Sequence, residues 1–596
     1  MPLGAPACGQ TVKLSIKAPD TTEELYLAIG GEKLPMHRKG ERFEICYTAP
    51  TEPCVLWYHF ELPGGTCFGP RGLRSGYAGG WQMTVYAADF ETPRWYEGKT
   101  MYQIFPDRFA RGGKAAKRGI KFHRDAGREI EFHEDWEEKA KWQGVDGKDY
   151  CPNDFFGGTL AGITEKLDYL KDMGVEVIYL NPIFEADSNH RYNTGDYKKI
   201  DPILGSLNDF KALCAAMEER GMRLILDGVF SHTGDDSIYF NKYGRYDGVG
   251  AYQSPESRYS SWFDFEEYPD KYRCWWNFRS LPEVKETDRA WQEAIVTGRY
   301  SVLKTWLRRG ADGWRLDVAD ELPDEVLELM RTAAKAENSE ALMLGEVWED
   351  ATTKQSYGKT RSYALGRALD TVMNYPLRTA LVNFALGKAD AEETCRFLIG
   401  QKLNYPAPMY RCLMNLLGSH DTARIRTVLA LGFDGGGLTR EQQAAIVSTP
   451  EQLQRGKALQ RICAAVVFSL PGMPALYYGD EEGMEGFRDP FCRETYRRQE
   501  DDTRSFYSYL ANLRKESPAL SRGDVAFAAP DDDTLCILRF GEGEAYLTTV
   551  SRAWAPRRVR ISPEMFSGAL RQDINAVFDG ADIYMEALSS DIRRIK

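Results

Sequence analysis

The sequence predicts an α/β fold: a (β/α)8 TIM barrel with a strand-three insertion, an N-terminal β-sandwich and a C-terminal β domain. Three observations lead there. After Gly98, short apolar runs alternate with amphipathic helical segments, the pattern of a parallel sheet built from strand–helix units. Short strand-like runs without helices stand at both ends of the chain. Acidic residues and histidines gather where the central strands end, the face on which barrels of this kind carry their chemistry.

Taken in order, residues 12–16 (VKLSI), 24–29 (ELYLAI), 42–47 (RFEICY) and 55–62 (VLWYHFEL) read as strands separated by Gly, Pro and Lys turns, a small sandwich over 1–92. Residues 89–95 (DFETPRW) read as the linker out of it. The barrel is expected over 93–512. Its strands are 101–105 (MYQIF), 175–180 (VEVIYL), 223–229 (RLILDGV), 313–318 (GWRLDV), 342–348 (LMLGEVW), 368–374 (ALDTVMN), 412–419 (CLMNLLGS) and 474–479 (PALYYG). Helices such as 163–174 and 207–221 lie between them. Two connections are long, the polar segment 107–156 and an inserted subdomain at about 231–290 rich in Tyr, Trp, Ser and Asp. From 513 to 596 short β runs return, among them 533–540 (DTLCILRF) and 544–550 (EAYLTTV).

Composition narrows the function. The chain has 596 residues, 43% hydrophobic and 28% charged, which excludes wholesale disorder, collagen and a small disulfide scaffold. Its formal charge of −12 and the lack of a Lys/Arg run argue against a nucleic-acid partner. Aromatics at 12% suit a protein that stacks sugars, and equally a large core. The first residues show no basic-then-apolar export pattern, and the strongest apolar stretch, 462–470, is about half the ~20 residues of a membrane span, so no membrane partner and a cytoplasmic location are expected. The 12 cysteines form no C-x-x-C pair, so metal-site spacing is absent and reduced thiols are expected.

At the strand ends lie Asp227 and His232 (strand three), Arg315 and Asp317 (four), Glu346 (five) and His420 with Asp421 (seven); strand two leads to His190, Arg191 and Tyr192. Singly, each has a bland reading: a strand-end Asp is usually a cap or ion-pair partner, Arg-x-Asp a local pair, His-Asp a structural hydrogen bond, Tyr192 core. Together, Asp317, Glu346 and Asp421 suit glycosidic cleavage, which needs one ionised carboxylate as nucleophile and one carboxylic acid as proton donor. Arg315, two residues before Asp317, shares its strand face and favours its ionised form.

These residues sit in four blocks, DGVFSH (227–232), GWRLDVADE (313–321), GEVWED (345–350) and LLGSHD (416–421), whose order and spacing resemble the family 13 glycoside hydrolases, the α-amylase family. Further phrases, YQIFPDRF (102–109), FFGGTLAGITEKLDYL (155–170), SNHRYNTGDY (188–197), YYGDEEGMEG (477–486) and DPFCR (489–493), look most like the neopullulanase, cyclomaltodextrinase and maltogenic amylase group. The resemblance implies Asp317 as nucleophile, Glu346 as general acid/base and Asp421 as the carboxylate that binds sugar hydroxyls. It implies Arg315 as orienter of Asp317, His232 and His420 on the sugar being cleaved, Tyr192 beneath it, Asp489 and Arg493 on the non-reducing side, and Glu321 and Trp348 toward the acceptor. The expected activity is retaining hydrolysis of α-1,4, and some α-1,6, glucosidic bonds in maltooligosaccharides, cyclodextrins or pullulan. The alternatives are a 4-α-glucanotransferase and a non-catalytic carbohydrate-binding protein on the same barrel. Departures bear on metal and specificity. Ser231 stands where the family has Asn, 110–119 (ARGGKAAKRG) carries no carboxylate where relatives have a calcium loop, and Thr159 replaces a common Asp, so no cofactor is expected and calcium not at the usual loop. Asp320 and 281–284 (LPEV) also differ from the group. The N-terminal domain is expected to be a homodimerisation arm, or else a starch-binding surface exposing Trp57, Tyr77 or Trp81.

Overall fold

A computed structural model describes residues 4–18, 22–144, 150–499 and 501–596. At its centre eight parallel strands form a nearly closed barrel: Met101–Ile104, Val177–Leu180, Arg223–Gly228, Gly313–Leu316, Leu342–Gly345, Thr371–Val372, Met414–Leu416 and Met473–Tyr477. Neighbours in sequence are neighbours in the sheet, the eighth strand pairs back onto the first, and the sixth and seventh meet through a single parallel bridge, Met373 to Met414. The sixth strand is far shorter than the seven residues its apolar run suggests.

The period-two alternation of the strands explains the core. Met101, Val177, Tyr179, Ile225, Leu342, Leu344, Met414, Leu416 and Met473 fill the lumen, while Tyr102, Ile104, Ile178, Leu180, Leu224, Leu226, Trp314 and Leu316 pack with the surrounding helices. Continuing the same parity upward, the next positions are Gln103, Asp227, Asp317 and Glu346. The apolar plug therefore ends in a polar floor at the C-terminal mouth.

Two connections differ from the sequence reading. The polar segment after strand one is not a loop throughout, since Ala115–Asp125 is a helix that presents Gly119 to the backbone of Ile203. Residues 163–174 are not one helix but the end of Leu160–Glu165 followed by Leu167–Asp172, separated at Lys166. Thr159 caps the first of these, its hydroxyl accepting from the Gly162 N–H at 3.0 Å, so the residue that departs from the family's Asp still serves as an N-cap. The 231–290 insertion has little regular structure but buries aromatic rings of its own, including Tyr239, Phe240, Trp262, Phe263 and Tyr272.

The N-terminal region forms a three-stranded and a six-stranded antiparallel sheet around Val12, Leu27, Phe43, Phe60 and Val85. The C-terminal region is a four-stranded antiparallel sheet, Asp524–Asp531, Thr534–Gly541, Glu544–Ser551 and Ser589–Arg594, with a further strand pair over it.

Candidate active site

Arg315 is the hub of the polar floor. It is fully buried, its Nη1 donates to Asp227 Oδ1 at 2.8 Å and to Asp317 Oδ1 at 2.7 Å, and its Nη2 lies 2.7 Å from Glu346 Oε2. Asp227 is held in turn by the hydroxyls of Tyr179 at 2.6 Å and Tyr192 at 2.9 Å. Three carboxylates around one guanidinium leave negative charge in excess at a site shielded from water. Burial accordingly pushes both Asp317 and Glu346 up, against the pull of Arg315, and the charge of each neighbouring carboxylate adds to the rise. The pair favours a state with one proton between them. Asp317 takes the well-directed hydrogen bond from the guanidinium, while Glu346 lies off the line of the Nη2 N–H bonds and finds its hydrogen-bond donors elsewhere.

The backbone between the two residues is bent to suit them. Val318, directly after Asp317, has φ +36°, a left-handed conformation that a β-branched residue rarely adopts and that costs on the order of 1–3 kcal/mol. The bend aims the Val318 N–H at Glu346 Oε2, 2.8 Å away. The other oxygen of Glu346 accepts from Trp348 Nε1 at 3.0 Å, and the Trp348 ring stacks face to face on Tyr375 at 3.9 Å.

Across the mouth, Gln103 donates to His420 Nδ1 at 3.0 Å, which leaves Nε2 as the donor, 3.0 Å from Asp421 Oδ2 and 2.5 Å from the Tyr192 hydroxyl. Tyr192 lies parallel to the His420 ring at 5.2 Å. Arg493 Nη2 is 3.3 Å from Asp421 Oδ1 and its Nη1 2.9 Å from Asp489 Oδ1. Burial works against ionisation of Asp421, but His420 and then Arg493 outweigh it and hold that carboxyl well below the ordinary range. His232 is fixed through Nδ1 by the Ser231 hydroxyl at 3.1 Å, while its buried Nε2 has no protein partner; burial pushes this ring down to about 4. An orphaned buried nitrogen at this mouth suits a bound hydroxyl.

Asp317, Glu346, Asp421, Arg315, His232, His420, Tyr192, Arg493 and Asp489 thus converge. Glu321 and Trp348 lie further out, Glu321 just past the Val318 bend and Trp348 with 44% of its surface exposed. Asp320 does not join them; it pairs with Lys354 at 2.9 Å and accepts from Tyr363 at 2.6 Å. The sequence reading missed the support of the site, namely Gln103, Tyr179 and the role of Asp227. Their signal was present as polar residues at inward parity on buried strands.

The fold and site together define a barrel built for acid and nucleophile chemistry by carboxylates. The alpha amylase catalytic-domain family matches residues 103–522, and the chain belongs to that family. It is 36% identical to an amylopullulanase of Thermoanaerobacter thermohydrosulfuricus over 88% of its length, and spans 38% of that much longer protein. It is 35% identical to a cyclomaltodextrinase of Geobacillus thermopakistaniensis over 85% of this chain and 73% of the other. Among solved structures, a cyclic alpha-maltosyl-(1→6)-maltose hydrolase from Arthrobacter globiformis matches with a TM-score of 0.67 and 28% identity, covering 85% of this chain and all of that one.

Proposed function

We propose that the protein is a retaining α-glucan hydrolase that cleaves α-1,4, and some α-1,6, glucosidic bonds in maltooligosaccharides, cyclodextrins or pullulan. The observation that carries the reading is the pair Asp317 and Glu346, on adjacent strands, flanking one buried guanidinium. In the first step the Asp317 carboxylate attacks the anomeric carbon, Glu346 gives its proton to the departing glycosidic oxygen, and a glycosyl ester forms as the C–O bond breaks. In the second, Glu346 takes a proton from water, the water oxygen attacks the same carbon and the ester releases Asp317, with net retention. Asp421, His420 and His232 bind hydroxyls of the sugar at the cleaved bond, Tyr192 lies beneath it, and Arg493 with Asp489 holds the non-reducing side. Glu321 and Trp348 face the acceptor.

Proton NMR on maltotriose is expected to show the α-anomer as first product, and Asp317→Asn to lose on the order of 10⁴-fold or more in kcat while folding normally. A β-anomer first, or a fully active mutant, would reject the reading.

No calcium is required in this proposal. The loop equivalent is the Ala115–Asp125 helix with its Gly-rich lead-in, Ser231 is engaged with His232, and Arg128 supplies a buried cation between the barrel and the insertion. Among the described residues the one metal-capable trio is His59, Glu61 and Cys67, and there Glu61 already pairs with Lys33 at 2.9 Å. No helix among the described residues is long and apolar enough to cross a membrane, and all twelve thiols are free, which suits the cytoplasm; cell fractionation tests that location. In the N-terminal domain Trp57 and Tyr77 are exposed, whereas Trp81 is partly buried and packs against Tyr58, Phe60 and Phe68. Homodimerisation through this domain fits the exposed pair, and sedimentation of the wild type against Trp57→Ala tests it.

A further inference from the structure

A second recess lies apart from the cleft, where three segments meet. They are the C-terminal end of the Ala115–Asp125 helix, the hairpin of Phe184–Glu185 with Asp196–Ile200, and residues 238–259 of the insertion. Its volume is about 930 Å³, within the ~300–1,000 Å³ usual for small-molecule sites. None of its lining residues is among those that converge on Arg315. The hairpin nevertheless serves both places. Its strands give Glu185, Asp196 and Lys199 to the recess, and the loop between them gives Tyr192 to the cleft.

The recess has a wall that the protein leaves unsatisfied. Glu185 is buried, and its Oε1 accepts from Arg128 Nη2 at 3.2 Å and from the Tyr246 hydroxyl at 2.9 Å. Its Oε2 has no hydrogen-bond partner among the described residues. Lys199 Nζ stands 3.9 Å from that oxygen, too far for a hydrogen bond, and 58% of the lysine side chain is exposed. A buried acceptor left open is costly, so an occupant that donates to it is favoured. Phe122 and Val249, 42% and 56% exposed, turn apolar surface into the same recess. Singly, exposed apolar side chains are ordinary; here they share one recess with an orphaned carboxylate oxygen.

The lining also selects the chemistry of the occupant. Four cations and four carboxylates line the recess among the described residues, so their charges balance and neither an anion nor a cation is preferred. Apolar faces beside closely spaced donors and acceptors suit a neutral polyhydroxylated ring, whose C–H face packs on apolar side chains while its hydroxyls hydrogen-bond. We infer that the recess is a second, non-catalytic binding site for a neutral di- or trisaccharide, with Glu185 Oε2 accepting from one sugar hydroxyl and Lys199 donating to another. The choice of an α-glucan among neutral oligosaccharides rests on the reading of the cleft. A glucan held there stays near the mouth that the same hairpin lines, which raises its effective concentration at the cleft.

The test is calorimetric titration of maltotriose into Asp317→Asn, the full chain with its cleft in place and turnover removed. Two binding sites per chain are expected. Gly248 lines the recess, has open space around its Cβ position and lies outside the left-handed region, so Gly248→Trp fills the recess without straining the backbone. Added to Asp317→Asn, it should weaken one of the two sites by roughly ten-fold or more and leave the other. Lys199→Ala removes a contact at an exposed position instead of adding bulk, and should weaken the same site; if Gly248→Trp misfolds, this variant decides alone. Maltotriose binding that the variants leave untouched, whether at one site or two, overturns the recess. Wild-type protein that fails to hydrolyse maltotriose overturns the reading of the cleft, while the recess stands or falls by the titration.

Discussion

Glu346 is the residue on which the proposed chemistry is most exposed to test. Burial raises its pKa and Arg315 opposes that rise, while the Val318 N–H and Trp348 indole favour the ionised form it must take up after giving its proton away. An acid works only while protonated, so activity is expected to fall as pH rises through this group, at a pH above the ordinary carboxylate range. Glu346→Gln should lower kcat on maltotriose by roughly 10²–10⁴-fold and remove that alkaline limb. The loss should be smaller on α-maltosyl fluoride, whose leaving group needs little protonation. Equal losses on both substrates in a pH-rate series would argue against an acid role.

At the level of elements, one buried guanidinium ties the insertion to two other connections of the barrel. Arg128, just past the Ala115–Asp125 helix and buried, donates to Asp236 at 2.8 Å, Glu185 at 3.2 Å, the Tyr246 hydroxyl at 2.7 Å and His123 Nδ1 at 2.8 Å. Asp236 and Tyr246 belong to the insertion and Glu185 to the excursion after strand two. Removing one partner of a buried pair strands the others, which costs about 3–5 kcal/mol. Arg128→Met is therefore expected to lower the melting temperature clearly and to loosen the insertion that carries Trp275 and Trp276. Chelation by EDTA should leave the wild-type melting temperature unchanged, because the cation at this junction is part of the chain. A chelator-sensitive transition in differential scanning calorimetry would contradict that.

For the whole molecule, buried carboxyls make stability fall both as pH rises above about 4.5 and as it drops below about 3.8. Burial pushes Glu481 up to about 7 from 4.5, despite hydrogen bonds from the Tyr102 hydroxyl at 2.6 Å and the Gly479 N–H at 2.9 Å. Between those two pH values the unfolded chain releases this proton and the folded chain keeps it. Stability therefore falls as pH rises from about 4.5 to about 7, by roughly 3 kcal/mol, and levels off above. The opposite sign holds for Asp154 and Asp501. Burial works against each, but Arg108 and His133 for the first, and Thr503 with Arg426 for the second, hold both carboxyls near 2. Their contribution is present above 3.8 and lost as pH falls toward 2. Unfolding followed by circular dichroism across pH 5–8 should show the falling slope in the wild type and a flatter profile in Glu481→Gln. A slope that survives the substitution would assign it to another group.

The sequence alone determined the order of the eight strands, the apolar parity of their cores and the identity of Asp317, Glu346 and Asp421 as candidates. Strand parity and strand ends are local properties, written in successive residues. Tertiary structure decided what those residues touch. Arg315 was legible as a neighbour of Asp317, but its hydrogen bond to Asp227 and its ion pair with Glu346 reach residues 88 and 31 positions away in the chain. The orphaned nitrogen of His232, the split of 163–174 into two helices and the partial burial of Trp81 depend on packing, which no window of the sequence contains. The hydrogen bonds from the Trp276 indole and the Tyr357 hydroxyl to Glu321 are the extreme case, because three irregular segments meet there only after the barrel has placed their roots side by side.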